Sequence, residues 1–351
     1  RPVGLMEPRR HAPVPVTLVA GFLGAGKTTF LTRIVAGAHG RRIAVLVNDF
    51  GDVSVDRELI IAADETTITL ANGCVCCTIR DDLVAAARDL LRREPPPEHL
   101  VVELSGVADP GSVLRTFALM EKRWPLFVDG VIALVDAEHF PEADDEHYLL
   151  AREQLVLADV VLVNKTDLVS PERVAELRRR IVAWVPTARV VDTVLGEVPL
   201  ELCLGLGMDP EHARLRPAET EHERSHGFST FTYRTPKMLS LEALRTTCTE
   251  LPTSVFRAKG FVYLDARPDH RTVLQVVGRR ARIELGGAWG DRARETLIVF
   301  IGDRDGLASD ALAAAFDACA AKERGPAAKL TSAVDWIRER FRAGPSKSRP
   351  P

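Results

Sequence analysis

The chain has 351 residues, of which 46% are apolar and 27% charged, and a formal net charge of −3. That length accommodates two domains with separate cores, and that charge gives no footing for bulk nucleic-acid or anionic-membrane binding. No apolar run approaches a membrane span, and Arg1 to His11 lack the apolar core of a signal peptide. Three of the six cysteines fall in one tetrapeptide, unlike a disulfide-stapled secreted domain, so the expected compartment is the cytoplasm with its reduced thiols.

Residues 1–14, rich in Pro and Arg, read as a flexible leader. From Pro15 short apolar runs alternate with amphipathic helices. The runs Val16–Ala20, Ile43–Val47, Leu100–Leu104, Val131–Val135 and Val160–Val163 are almost continuously apolar, as parallel strands covered on both faces are. Leu83, Ala86, Ala87, Leu90 and Leu91 recur at helical spacing, as do Val174, Leu177, Ile181 and Trp184, the latter set opened by Ser170-Pro171 as cap and first turn. The order predicts a doubly wound, mostly parallel α/β domain over residues 15–204. Residues 205–226, with Gly, Pro, charge and three histidines (His212, His222, His226), read as a linker. Residues 227–325 then predict a smaller α+β domain with a mainly antiparallel sheet. Its strands are expected at Thr230–Arg234, Phe256–Leu264, Thr272–Val277, Ala281–Leu285 and Leu297–Ile301. One helix follows Ser240 with Leu241, Leu244, Cys248 and Leu251 on a face, and another carries Leu312, Ala315, Phe316 and Cys319. A short helix and a disordered tail are expected in 326–351.

Gly21-Phe22-Leu23-Gly24-Ala25-Gly26-Lys27-Thr28 follows a predicted strand and opens a predicted helix, the setting of a phosphate-binding loop. Gly21, Gly24 and Gly26 let backbone N–H groups converge on phosphate oxygens, Lys27 neutralises β- and γ-phosphate charge, and the Thr28 hydroxyl suits Mg²⁺. Ala25 and Thr29 complete this part of the nucleotide-binding set. The fold class is therefore that of a P-loop NTPase followed by the smaller domain. Asn164-Lys165-Thr166-Asp167 lies at the carboxyl end of Val160–Val163, where ligands of open α/β sheets gather. A carboxylate at Asp167 accepts from N1 and N2 of guanine, donors that adenine lacks, so GTP is expected over ATP. Glu103 closes an apolar strand and is a candidate to hold a metal-bound or attacking water; capping the next helix is the structural alternative. Gly106, just beyond it, permits close backbone approach to a γ-phosphate. Asn48-Asp49-Phe50-Gly51 is a candidate switch segment.

Cys74-Val75-Cys76-Cys77 places three thiols inside this nucleotide domain. Residues i and i+2 of an extended segment share a face, so Cys74 and Cys76 converge more easily than Cys77, and a single ion needs a bend that Asn72-Gly73 helps supply. Three thiolates suit Zn²⁺, Co²⁺ or Cu⁺, with Asp49 an oxygen candidate for a fourth ligand. Inert core cysteines and a redox pair are the alternatives. Cys203, Cys248 and Cys319 read as core residues, and His139 and His147 border an acidic, solvated loop.

These motifs together resemble the CobW-type metallochaperone GTPases. The resemblance rests on Gly21–Thr28, Asn48–Gly51, the cysteine tract, Glu103 with Gly106, and Asn164–Asp167. In the second half it rests on His226-Gly227 and Arg257-Ala258-Lys259-Gly260. It implies slow GTP hydrolysis, with Lys27 and Glu103 catalytic and Mg²⁺ bound. It also implies a transition metal, Zn²⁺ before Co²⁺, held by the cysteines and released to a client metalloprotein. One departure is Asp49, where the family usually carries Glu; another is the near absence of a histidine-rich tract. A regulatory module responsive to GTP and metal is an alternative output. So is a dedicated activator of one metalloenzyme, such as a cobalt-type nitrile hydratase or a cobalamin-pathway enzyme. A monomer or a nucleotide- or metal-dependent dimer fits equally.

Overall fold

The computed structural model describes residues 13–37, 40–48, 67–70, 78–142, 145–205, 228–304 and 306–321. Its first part is a seven-stranded sheet in the order β3-β2-β4-β1-β5-β6-β7. The strands are β1 (Val14–Gly21), β2 (Ile43–Asn48), β3 (Thr67–Leu70), β4 (His99–Glu103), β5 (Leu126–Asp136), β6 (Val160–Asn164) and β7 (Arg189–Asp192). Every pair is parallel, so all carboxyl ends lie along one edge. The five apolar runs each mark a strand, Leu104 alone falling just past the end of β4, because a strand buried on both faces leaves no room for polar alternation. β3 and β7 escape that signal. Each is four residues long, and β3 alternates with threonine.

The helices are α1 (Lys27–Ala36), α2 (Thr78–Leu91), α3 (Pro110–Met120), α4 (Tyr148–Glu153), α5 (Pro171–Trp184) and α6 (Leu200–Leu204). The Ser170 side chain caps α5 by accepting from the Arg173 N–H. One face of the sheet packs on Leu83, Ala87 and Leu90 of α2, Phe117 and Met120 of α3, and Leu177 and Ile181 of α5. The other face packs on Phe30, Leu31 and Ile34 of α1 and on Leu202–Leu204 of α6.

The second part is a five-stranded antiparallel sheet, β11-β10-β9-β12-β8, built from β8 (Phe228–Thr235), β9 (Val255–Val262), β10 (His270–Val277), β11 (Arg280–Ala288) and β12 (Thr296–Asp303). α7 (Leu241–Thr249) and α8 (Ser309–Asp317) cover one face, with Leu244, Cys248, Leu312 and Phe316 in their core. Two expected helix positions are corrected: Leu251 lies beyond α7, and Cys319 lies beyond α8. Cys319 stays 1% exposed in the same core because its N–H turns back to the Phe316 carbonyl.

The other face of this sheet docks on the first domain. Phe228, Phe256, Val299 and Ile301 join the core shared with α1 and α6. Around them runs a charged seam at the amino ends of the parallel strands. Arg257 pairs with Asp129 at 2.5 Å, both almost fully buried, and also donates to the Cys203 carbonyl. Arg280 donates to Asp159 at 2.5 Å, and Arg282 pairs with Glu121. Arg189, buried, donates to the Val255 carbonyl at 2.9 Å. Gly130 is small because a Cβ there would meet the Val277 side chain at 2.9 Å. His99, 1% exposed, shares a 2.8 Å hydrogen bond with Thr17 Oγ1. Burial is the main reason its pKa falls to about 4; Asp129 opposes the shift, while Arg257 and Lys259 reinforce it. The singled-out segment Arg257–Gly260 thus lies on β9, with Arg257 in this seam.

Candidate nucleotide site

The phosphate loop leaves β1 at Gly21 and enters α1 at Lys27. Gly24 and Gly26 have φ of 75° and 97°, a region that side chains disfavour. At Gly26 a Cβ would also lie 2.4 Å from Asn164 Nδ2. Among the described residues, nothing lies within 4 Å of where a Cβ at Gly24 would be. The Lys27 ammonium donates to the Gly21 carbonyl at 2.9 Å and the Phe22 carbonyl at 3.3 Å, which curls the side chain over the loop. Ala25 is buried, Thr28 is half-buried and Thr29 is exposed at the first turn of α1. This cradle of N–H groups and one ammonium at a helix amino end fits a polyphosphate.

Asn164 ties the two nucleotide motifs together. Its Nδ2 donates to the Ala25 carbonyl at 3.0 Å, and its Oδ1 accepts from the Gly196 N–H at 3.0 Å. Lys165 follows with φ 61°, and Asp167 sits exposed in a short 3₁₀ turn, Thr166–Leu168. The Lys165 ammonium lies 2.6 Å from Asp136 Oδ2, at the carboxyl end of β5. Burial alone would raise the Asp136 pKa, but Lys165 and the N–H groups of His139 and Glu138 outweigh it and hold the carboxyl below its usual range. Asp136, Glu138 and His139 bring ligand atoms within 4.8 Å of one another. With Lys165 already on Asp136, the group reads as an anchor for that lysine.

Glu103 ends β4, 6% exposed, in register with Val19 of β1 and Val47 of β2. It does not cap the following helix. Asp109 does, accepting from the N–H groups of Gly111 at 2.8 Å and Ser112 at 3.0 Å, so the structural alternative for Glu103 falls away. Gly106 rests on the phosphate loop, where a Cβ would come within 2.7 Å of the Leu23 nitrogen. Asp49, Cys74, Cys76 and Cys77 lie outside the described residues, as do His212, His222 and His226.

A profile of the CobW/HypB/UreG nucleotide-binding domain matches residues 15–192, and one of the cobalamin synthesis protein CobW C-terminal domain matches residues 228–320. The chain belongs to the CobW/HypB/UreG family. Among relatives in this family, the zinc chaperone CobW of Pseudomonas aeruginosa is 34% identical over 334 residues, covering 83% of this chain and 88% of that protein. The zinc chaperone YjiA of Escherichia coli is 34% identical over 304 residues, covering 83% of this chain and 94% of that protein. The crystal structure of Zn(II)-bound YjiA GTPase from E. coli aligns at 26% identity over 89% of this chain and 100% of that one, with a TM-score of 0.43. Two further residues at the site, Asp136 and Gln154, belong to none of the sequence motifs. Asp136 had a visible signal, a carboxylate closing an apolar strand as Glu103 does. Gln154, which bonds the phosphate loop, had none.

Proposed function

We propose that this chain is a GTP-hydrolysing zinc metallochaperone that delivers its metal to a client metalloprotein in the cytoplasm. The carrying observation is the register of two neighbouring strands: Asn48 of β2 pairs with Leu70 of β3. Asp49 follows the first and Cys74 comes four residues after the second. The strand ends from which these candidate metal ligands follow in sequence thus lie side by side, on the sheet edge that also carries Gly21 and Glu103. The names of the relatives support zinc before cobalt as cargo.

In this reading the phosphate loop from Gly21 to Thr29 cradles the phosphates and Lys27 neutralises them. Asp167 reads guanine, beside Asn164 and Lys165. Gly106 approaches the γ-phosphate, and Glu103 positions the attacking water. Thr28 is the group that would hold Mg²⁺, which supplies charge neutralisation on phosphate oxygens when bound. Zn²⁺ is the substrate of the transfer, carried by Cys74, Cys76 and Cys77 with Asp49. The boundaries 15–204 and 227–325 delimit the nucleotide unit and the smaller domain.

Coupling between nucleotide and metal is reciprocal, so a triphosphate that tightens zinc must itself be tightened by zinc. Competitive zinc titration with Mg²⁺ and a GTP analogue, against Mg²⁺ and GDP, tests this. Tighter zinc with the analogue is expected, and Cys76→Ser/Cys77→Ser should abolish that binding while sparing GTP. Equal zinc affinity in both nucleotide states refutes the reading.

A further inference from the structure

Gln154 is 0% exposed, follows α4 directly, and belongs to no motif. Its Nε2 donates to the Ala108 carbonyl at 2.7 Å, and its Oε1 accepts from the Gly21 N–H at 3.3 Å. The first partner lies in the loop after Glu103, and the second opens the phosphate loop. One planar amide therefore joins the two segments that a triphosphate would touch together. A carboxylate has no donor for Ala108, and a thioether has neither group.

The neighbours of this bridge are stiff. Gly21 has φ 141°, and a Cβ there would come within 2.5 Å of the Leu134 carbonyl, so its backbone lies hard against β5. Gly106 rests on Leu23 of the phosphate loop, and the Ala108 N–H closes a turn onto the Ser105 carbonyl at 2.9 Å. At the other end of α4, the His147 ring lies 5.6 Å from the Phe22 ring. Both ends of this six-residue helix thus bear on the phosphate loop.

We propose that Gln154 is a positioning residue that holds the Gly106 loop in register with the phosphate loop, so that the two report together on the γ-phosphate. This rests on the GTPase reading above. GDP reaches the phosphate loop alone, whereas GTP also reaches Gly106. Loss of the bridge therefore penalises the triphosphate selectively, and it lowers turnover because Glu103 ends the strand that leads into the Gly106 loop.

The test uses the full chain as wild type, Gln154→Glu and Gln154→Met, with dissociation constants for GDP and a non-hydrolysable GTP analogue and kcat for GTP. Gln154→Glu keeps the acceptor for Gly21 and turns an oxygen on the Ala108 carbonyl; Gln154→Met removes both bonds. The expected result is an analogue affinity and a kcat each down about ten-fold, with GDP affinity within about two-fold. Should Gln154→Met fail to fold, Gln154→Glu and the shortened Gln154→Asn carry the same comparison. Equal weakening of both nucleotides makes Gln154 a packing residue and overturns the proposal, as does no change in either. A wild type that binds no GTP analogue overturns the GTPase reading and this proposal together. A wild type that binds and turns over GTP, with variants that match it, overturns this proposal alone.

Discussion

Removing the carboxylate of Asp129 should unlock the two domains. Asp129 and Arg257 are 4% and 3% exposed, and their charged atoms lie 2.5 Å apart. In Asp129→Ala the buried guanidinium keeps, among the described residues, the Cys203 carbonyl at 3.3 Å as an acceptor. Breaking one partner of such a buried pair costs about 3–5 kcal/mol, a large share of the 5–15 kcal/mol that holds a typical domain. Arg257→Met should cost a similar amount by stranding the carboxylate. The double variant Asp129→Ala/Arg257→Met removes both charges and should recover most of the loss, giving a coupling energy of several kcal/mol. Urea unfolding followed by intrinsic fluorescence measures each corner of this cycle. Gly205→Ala provides an independent probe, because a Cβ there would come within 2.4 Å of the same guanidinium at a φ of 61°. If Asp129→Ala stays within about 1 kcal/mol of wild type, or the two single losses simply add, the pair does not lock the interface and the argument fails.

The remaining predictions concern charge at the two sheet edges. Lys27→Ala removes the ammonium held over the phosphate loop and should weaken GTP binding about 100-fold by calorimetry, with the fold intact by circular dichroism. Asp136→Asn keeps the acceptor for the Glu138 and His139 N–H groups but loses the charge opposite Lys165; GDP affinity should fall about five- to ten-fold, and an unchanged affinity would dismiss the anchor. His99 makes stability acid-sensitive. Its folded pKa of about 4 lies below the unfolded value of 6.5, so its contribution is fully present above pH 6.5 and drains away as pH falls towards 4. The loss across that window is about 3 kcal/mol. His99→Gln should flatten the thermal midpoint between those pH values, and a midpoint that still falls as steeply would acquit the histidine.

What the sequence disclosed follows from how each signal is written into a chain. Buried parallel strands advertise themselves as apolar runs, so β1, β2, β4, β5 and β6 were legible, whereas Thr67–Leu70 carries polar residues on alternate positions and was not. Gly24 and Gly26 were legible because a phosphate loop demands left-handed backbone at fixed spacing. Asp136 was within reach, since a lone carboxylate ending a buried strand needs a partner at the strand edge. Gln154 and Asp129 were out of reach. Their roles depend on Ala108 and Gly21 for the one, and on Arg257 for the other, and in each case a partner lies dozens of positions away or more. Only the folded chain brings such pairs together.

The same strands that separate these groups also connect them. β4 carries His99 at its amino end and Glu103 at its carboxyl end; β5 carries Asp129 near one end and Asp136 at the other. Seven residues of strand span about 23 Å, too far for seam charges to act on a nucleotide through water at physiological salt. A rigid sheet transmits displacement poorly along β4 and β5, because each is pinned by two neighbours. α1 offers a shorter route. It opens at Lys27, and its Phe30, Leu31 and Ile34 share one core with Phe228, Phe256, Val299 and Ile301 of the second domain. Close-packed cores respond to shifts as discrete repackings. The second domain therefore meets the phosphate loop through the apolar face of α1, while the charged seam at the far edge fixes where that domain sits.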